Sequence, residues 1–286
     1  MAKRKMILKI GEPILWFDQR YYPFYNDKQQ IERWLPSVTT KLGIISKGDF
    51  LDRRRGDIGN READIRLQEA GDRGSRIHAA CAIGMNGGAV AIDPPWNKAK
   101  AISEQDMKKL KKKYKGNIAL LQSQEEMVAV WRFREWLKLF DKNLFVVGNE
   151  VRVCSILDNY AGSLDWIFRL KKGLYQISSK MSINIINDGL FILDLKSGME
   201  SDSHKMQVAA YVEGYEKTYQ EKVDGGFIFY MNPKRAGGLE ETKTVFMNHS
   251  DISRHYQDFL HVSVIWERNN AGQQPKIFEY PSVITF

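Results

Sequence analysis

The chain has 286 residues, a 43% hydrophobic share and a net charge of +8, a length and apolar content that allow one large globular domain or two small ones. No apolar run approaches the roughly 18 residues that cross a bilayer, so no membrane partner is expected. Two cysteines, Cys81 and Cys154, are too few for the four thiolates of an iron–sulfur cluster and read as buried, inert thiols.

The start, MAKRKMILKIGEP, is basic but reaches Gly11 and Glu12 before a secretory apolar region forms, so no targeting segment and a cytoplasmic location are expected. Met6 to Pro36 mixes strand-like runs with turn residues. Within it Arg20, Tyr21, Tyr22, Phe24 and Tyr25 form an aromatic cluster that either stacks on bases or fills a core. Pro36 to Thr40, PSVTT, reads as a helix start. A hydroxyl there caps the helix and the free amides beside it suit a phosphate, so Ser37 and Thr39 are candidate DNA contacts as well as caps.

Asn60 to Gly84 is helical in pattern and carries Arg76, a candidate DNA contact, and His78, which is either structural or a metal ligand. Gly87 to Pro95 reads as a loop, and Ser103 with Asp106 as a capping-box-like start to a lysine helix. Lys98 to Lys115 holds eight lysines against Glu104 and Asp106, so it supplies most of the net charge. Lys108, Lys109, Lys111 and Lys112 are therefore either a solvated face or a DNA-binding one. Ile118 to Phe140 is expected to be one long amphipathic helix whose Trp131, Phe133, Trp136 and Phe140 face the core.

From Leu144 the pattern turns to strands: FVVGNEVRVCSIL, YAGSLDWIFRL, a stretch from Tyr175 to Ile186, and GLFILDL. Side chains alternate along a strand, so Asp194 and Lys196 share one face while Leu195 points into the core. A charge pair there is costly without a partner or a task. Asp165, on the preceding strand after Gly162, adds a second inward acid, and two such acids suit magnesium or manganese. Ser203 to Tyr219 is helical, with His204, Gln207 and Tyr211 on one face. Ser250 or Asp251 is expected to cap a last helix ending near Trp266, with IFEYPSVITF closing the chain. No GxxxxGK[ST] loop is present, so neither a nucleotide cofactor nor a motor is expected.

The order GSRIH (Gly74 to His78), NEVRV with Glu150, GSLD (Gly162 to Asp165), DLK (Asp194 to Lys196) and QVAAY (Gln207 to Tyr211) resembles the PD-(D/E)XK nuclease superfamily, in its RecB-like, phage-type exonuclease branch. PSVTT is also similar to the mitochondrial genome maintenance exonucleases of that branch. The insertion SSKMSINIINDG between Asp165 and Asp194 departs from the pattern, and reads as an extended β-ribbon. The resemblance implies a single nuclease domain over 1–286, with a restriction-endonuclease-like α/β core in 144–286, a central mixed sheet flanked by helices that carries the metal site, and a largely helical N-terminal half in 1–143, a hairpin and a helical part, that carries His78.

It further implies a Mg²⁺- or Mn²⁺-dependent deoxyribonuclease. Asp165, Asp194, Glu150, His78 and the Leu195 carbonyl would take the metal. Lys196 would act on the attacking water, with Gln207 and Tyr211 nearby. The substrate expected is single-stranded or frayed DNA, in recombination, repair or replication, with a single-strand-binding or annealing protein or a helicase as partner. Two rivals stay open at this point: an endonuclease of the same fold, and a DNA-binding protein that has lost catalysis.

Overall fold

The computed structural model describes residues 9–45, 56–93, 101–178, 181–232 and 237–276. Lys98, Lys100 and the closing IFEYPSVITF segment lie outside these. The centre is a five-stranded sheet built from β6 (Leu144–Ser155), β7 (Tyr160–Leu170), β10 (Gly189–Lys196), β11 (Gly225–Tyr230) and β12 (Lys243–Met247), in the order β12-β11-β10-β7-β6. β10 and β11 run parallel and the other neighbours antiparallel. A parallel pair needs a crossover, and α5 (Asp202–Tyr219) supplies it.

Both faces of the sheet are covered, which explains the near-continuous apolar runs. One face places Trp166, Phe168, Phe191, Leu193, Leu195, Phe227 and Phe229 against α2 (Asn60–Met85) and α4 (Gln124–Lys138). The other packs Leu164, Leu190, Ile192 and Ile228 against α5, α1 (Val38–Leu42) and α6 (His249–Asn269). The chain is thus mixed α/β, with a central mixed sheet between helices.

The N-terminal half is less helical than its sequence implies. β1 (Ile14–Trp16), β2 (Gln19–Tyr25) and β3 (Ile31–Pro36) make an antiparallel sheet joined to β7 by a bridge from Ser37 to Ala161. Gly87–Pro95 is not all loop, because β4 (Ala89–Ile92) pairs in parallel with β5 (Ile118–Leu121). The long helix expected from Ile118 therefore begins only at Gln124, where Ser123 and Glu126 form a capping box. Phe133, Trp136 and Phe140 are core, but Trp131 is 43% exposed. α3 (Glu104–Lys113) starts at Ser103 as read and buries no residue. The insertion between Asp165 and Asp194 is a hairpin of β8 (Gly173–Ser178) and β9 (Met181–Ile185). The last helix is capped by Asn248 rather than Ser250, with Asp251 closing a capping box.

Lys41 on α1 is wholly buried, and its ammonium reaches Glu267 at 2.7 Å, Ser263 at 2.6 Å and the carbonyl of Asp158 at 3.3 Å. A charge so enclosed persists only with such partners. It ties α1 to α6 and to the β6–β7 turn.

Candidate active site

β7 and β10 pair from Leu170–Gly189 as far as Trp166–Leu193 and then part. At the point of parting, Asp165 Oδ2 accepts the backbone N–H of Leu195 at 2.7 Å, so a carboxylate takes the place of a ladder partner. The alternation of β7 breaks at the same residue. Leu164 faces the α5 side and Trp166 the α2 side, although residues two apart ordinarily share a face. Across the ladder, Glu150 falls opposite Asp165, between the pairs Asn149–Trp166 and Val151–Leu164, with φ of 50°. A left-handed non-glycine residue inside a strand is strained, and such strain clusters at functional positions.

His78 on α2 sets Nδ1 3.3 Å from Asp165 Oδ1. Burial drags the imidazole pKa down most, but the charge and hydrogen bond of Asp165, joined by the charge of Asp194, together raise it above its ordinary value. For Asp165, burial alone raises the pKa, and His78, Lys196 and the Leu195 amide together bring it below the usual carboxylate range. α2 crosses the end of β10 closely enough that a Cβ on Gly74 would lie 3.4 Å from Ser197 Oγ. Glu150 reaches solvent, and the crowding around its carboxyl, then the charge of Asp165, raises its pKa.

Asp194 is buried, and its pKa is pushed up to about 6, by burial first and by Asp165 against the pull of Lys196. Lys196 Nζ lies 2.8 Å from Asp194 Oδ2, yet that oxygen accepts no hydrogen bond, because the contact is close in distance and poor in direction. Gln207 bridges the pair: its Oε1 accepts from Lys196 at 3.0 Å and its Nε2 donates to Asp194 Oδ1 at 3.2 Å. The amide can stand only this way round, since the flipped form would turn an NH₂ on the ammonium. Nε2 also donates to the Tyr211 hydroxyl at 3.1 Å, whose proton burial holds far more tightly than usual. Gly162 makes room for that ring, since a Cβ there would come within 2.5 Å of Tyr211 Cε1.

One turn before Gln207, His204 Nδ1 meets the Tyr230 hydroxyl at 3.0 Å; burial, then Lys196, lowers its pKa to about 4. Tyr230 carried no signal in sequence; its place follows from the Lys196–Tyr230 pairing of β10 and β11. Arg20, whose charge acts on Glu150, was likewise visible only as part of an aromatic run.

The residues singled out for DNA contact are less gathered. Ser37 is buried and caps α1, accepting from Thr40 N, and Thr39 is exposed beside it. Arg76 donates twice to Glu126, at 3.0 and 2.7 Å, and so serves the start of α4. Lys108, Lys111 and Lys112 stand on the exposed α3, where Lys109 pairs with Asp106 at 3.1 Å. Of the two readings of the aromatic run, Tyr21, Tyr22 and Phe24 are buried and take the core one; Cys81 and Cys154 are buried as expected.

Among the described residues, no three of His, Cys, Asp and Glu already form a metal-holding group. The donor chemistry nevertheless fits a hard divalent cation. Asp165, Asp194 and Glu150 offer carboxylate oxygens, and Asp194 Oδ2 is a buried anionic acceptor left without a hydrogen bond. Among the described residues, no helix is long and apolar enough to cross a membrane. Compared with known protein families and with curated proteins, the chain matches none.

Proposed function

We propose that this protein is a divalent-metal-dependent deoxyribonuclease with a PD-(D/E)XK core, acting from strand ends. One observation carries the reading. Where β7 and β10 part, two acids meet a lysine fixed by a glutamine, and Asp194 Oδ2 accepts no hydrogen bond. A structural ion pair would gain from satisfying that oxygen; a ligand site keeps it open.

Asp165 and Asp194 would hold Mg²⁺ or Mn²⁺, with Glu150, His78 and the Leu195 carbonyl at its border. The ion would supply Lewis acidity at the phosphoryl oxygen and ease deprotonation of a water. The chain's own contribution is orientation and charge. Lys196 spends one N–H on Gln207, stands in ion-pair contact with Asp194, and keeps its remaining N–H directions for the attacking water or a phosphate oxygen, where it offsets developing negative charge. Gln207 locks Lys196 against Asp194, and Tyr211 locks Gln207. With no motor motif in the chain, the single strand must come from fraying, a single-strand-binding or annealing protein, or a helicase.

The test is a time course on end-labelled linear single- and double-stranded DNA and on a circular single strand, with Mg²⁺, Mn²⁺, Ca²⁺ or EDTA. Hydrolysis of linear single strands is expected with Mg²⁺ or Mn²⁺ and not with Ca²⁺, whose looser shell positions water poorly. Absence of hydrolysis with every metal would overturn the nuclease reading. Rapid nicking of the circle would replace the exonuclease with an endonuclease.

A further inference from the structure

β1 and β2 are joined by a two-residue turn, closed by the Trp16–Gln19 pair. Phe17 and Asp18 occupy it with φ of 46° and 60°. Two left-handed residues match the twist of the strands, and Asn or Asp followed by Gly is the usual solution. A bulky aromatic in the first position is strained, because its Cβ crowds the following carbonyl. Burial does not compensate: Phe17 is 82% exposed and meets the Trp16 ring edge-on at 4.6 Å. Folding gives no reason for a phenylalanine there, and strain of this kind points to a task outside the fold.

The hairpin's placement indicates the task. Leu15, 72% exposed, lies directly opposite Arg20, so the two share a face. Arg20 and Tyr22 are two apart on β2 and share that face as well. The Tyr22 hydroxyl meets Ser163 Oγ at 3.2 Å, two residues before Asp165. The backbone of Arg20 is held at both ends, its N–H by Thr40 Oγ1 at 2.9 Å and its carbonyl by the Ser37 amide at 2.8 Å. The guanidinium stands near enough to Glu150 for its charge to act there. The Leu15–Arg20 face therefore looks over the acid cluster. At about 3.3 Å per residue, the tip lies within roughly 17 Å of Tyr22, a reach of a few nucleotides.

We infer that this hairpin is a nucleic-acid contact surface in which Arg20 takes a backbone phosphate, Leu15 covers a sugar, and Phe17 stacks on the base at the strand end. The inference rests on the nuclease reading for what it serves, and on the hairpin's geometry for what it binds. An aromatic on a rigid tip holds any base without sequence preference, and it caps a frayed terminal pair without a motor.

The experiment uses the Asp194→Asn protein, so that DNA survives, and duplex or single-stranded DNA with 2-aminopurine at its end. Binding should change the fluorescence of the terminal base. Phe17→Ala in the same background should abolish that change and weaken binding about tenfold, the loss of one base stack. Phe17→Asn, suited to the left-handed turn, should abolish it too while raising Tm, which separates loss of contact from misfolding. In the active protein, Phe17→Ala should slow digestion of blunt duplex ends about tenfold at subsaturating DNA. An unchanged fluorescence response in both Phe17 variants would overturn the inference. If the unsubstituted protein hydrolyses nothing while the response still depends on Phe17, the nuclease reading falls and the contact surface stands.

Discussion

Replacing Gly162 by Ala tests how the site is held together without touching a charged group. The new Cβ would lie 2.5 Å from Tyr211 Cε1 and 3.3 Å from Cδ1. The ring must retreat by about 1 Å to restore ordinary contact. Tyr211 is buried, so the retreat disturbs a packed core and should cost about 1–3 kcal/mol of stability. The hydroxyl then leaves Gln207, which loses part of its hold on Lys196 and Asp194. A shift of that size at a positioning residue lowers turnover by roughly a hundredfold. Urea melts measure the first effect and hydrolysis of an end-labelled single strand the second. In a Tyr211→Ala background the same glycine substitution should cost nearly nothing, giving a coupling of about 2 kcal/mol. Full activity in Gly162→Ala, with stability unchanged, would refute the clearance argument.

Lys196→Ala should abolish hydrolysis while leaving DNA affinity largely intact, since binding comes from phosphate contacts elsewhere; a near-normal rate would remove Lys196 from the mechanism. His204, depressed to about 4, binds fewer protons folded than unfolded between that value and its ordinary 6.5. Its contribution is thus present above pH 6.5 and lost as pH falls to about 4, by up to about 3 kcal/mol. His204→Gln should flatten that part of the stability–pH curve, and an unchanged curve would place the acid sensitivity elsewhere. Exchanging Lys108, Lys109, Lys111 and Lys112 for Gln should reduce the log–log salt slope of DNA binding by about 0.7 to 0.9 per phosphate contact removed. Lys109, already paired with Asp106, should contribute least; an unchanged slope would make α3 a solvated face.

The elements that were legible in sequence are those whose signal is local. The apolar run around Asp194 and Lys196 places both groups on one face, and the spacing of Gln207 and Tyr211 places them on one helix stripe, because strand and helix periods alone dictate this. β4 and β5 were missed because four-residue strands beside glycines carry too short a period, and β5 merged with the helix behind it. Tyr22 is core only because β2 lies over β7, Tyr21 is buried where its hydroxyl reaches the Gln273 carbonyl beyond α6, and Arg76 is spoken for only because α4 begins beside α2. The left-handed backbone of Glu150 and the approach of Tyr230 to His204 arise from strand pairing between distant segments, which no window of sequence contains.

The buried Lys41 has a consequence for the order in which the chain assembles. Its partners Ser263 and Glu267 lie 222 and 226 residues further along. Until they arrive, closing α1 onto the sheet would strand an ammonium without its counter-charge, so that step is disfavoured during synthesis. The β1–β3 sheet and α1 must therefore wait, loosely attached, while the central sheet forms. Contacts so distant in sequence are slow to close, which makes the docking of α6 a late event that completes the N-terminal part of the fold. A ribosome-bound chain ending before residue 263 should leave β1–β3 open to protease, and one extended past Glu267, with α6 clear of the exit tunnel, should protect it.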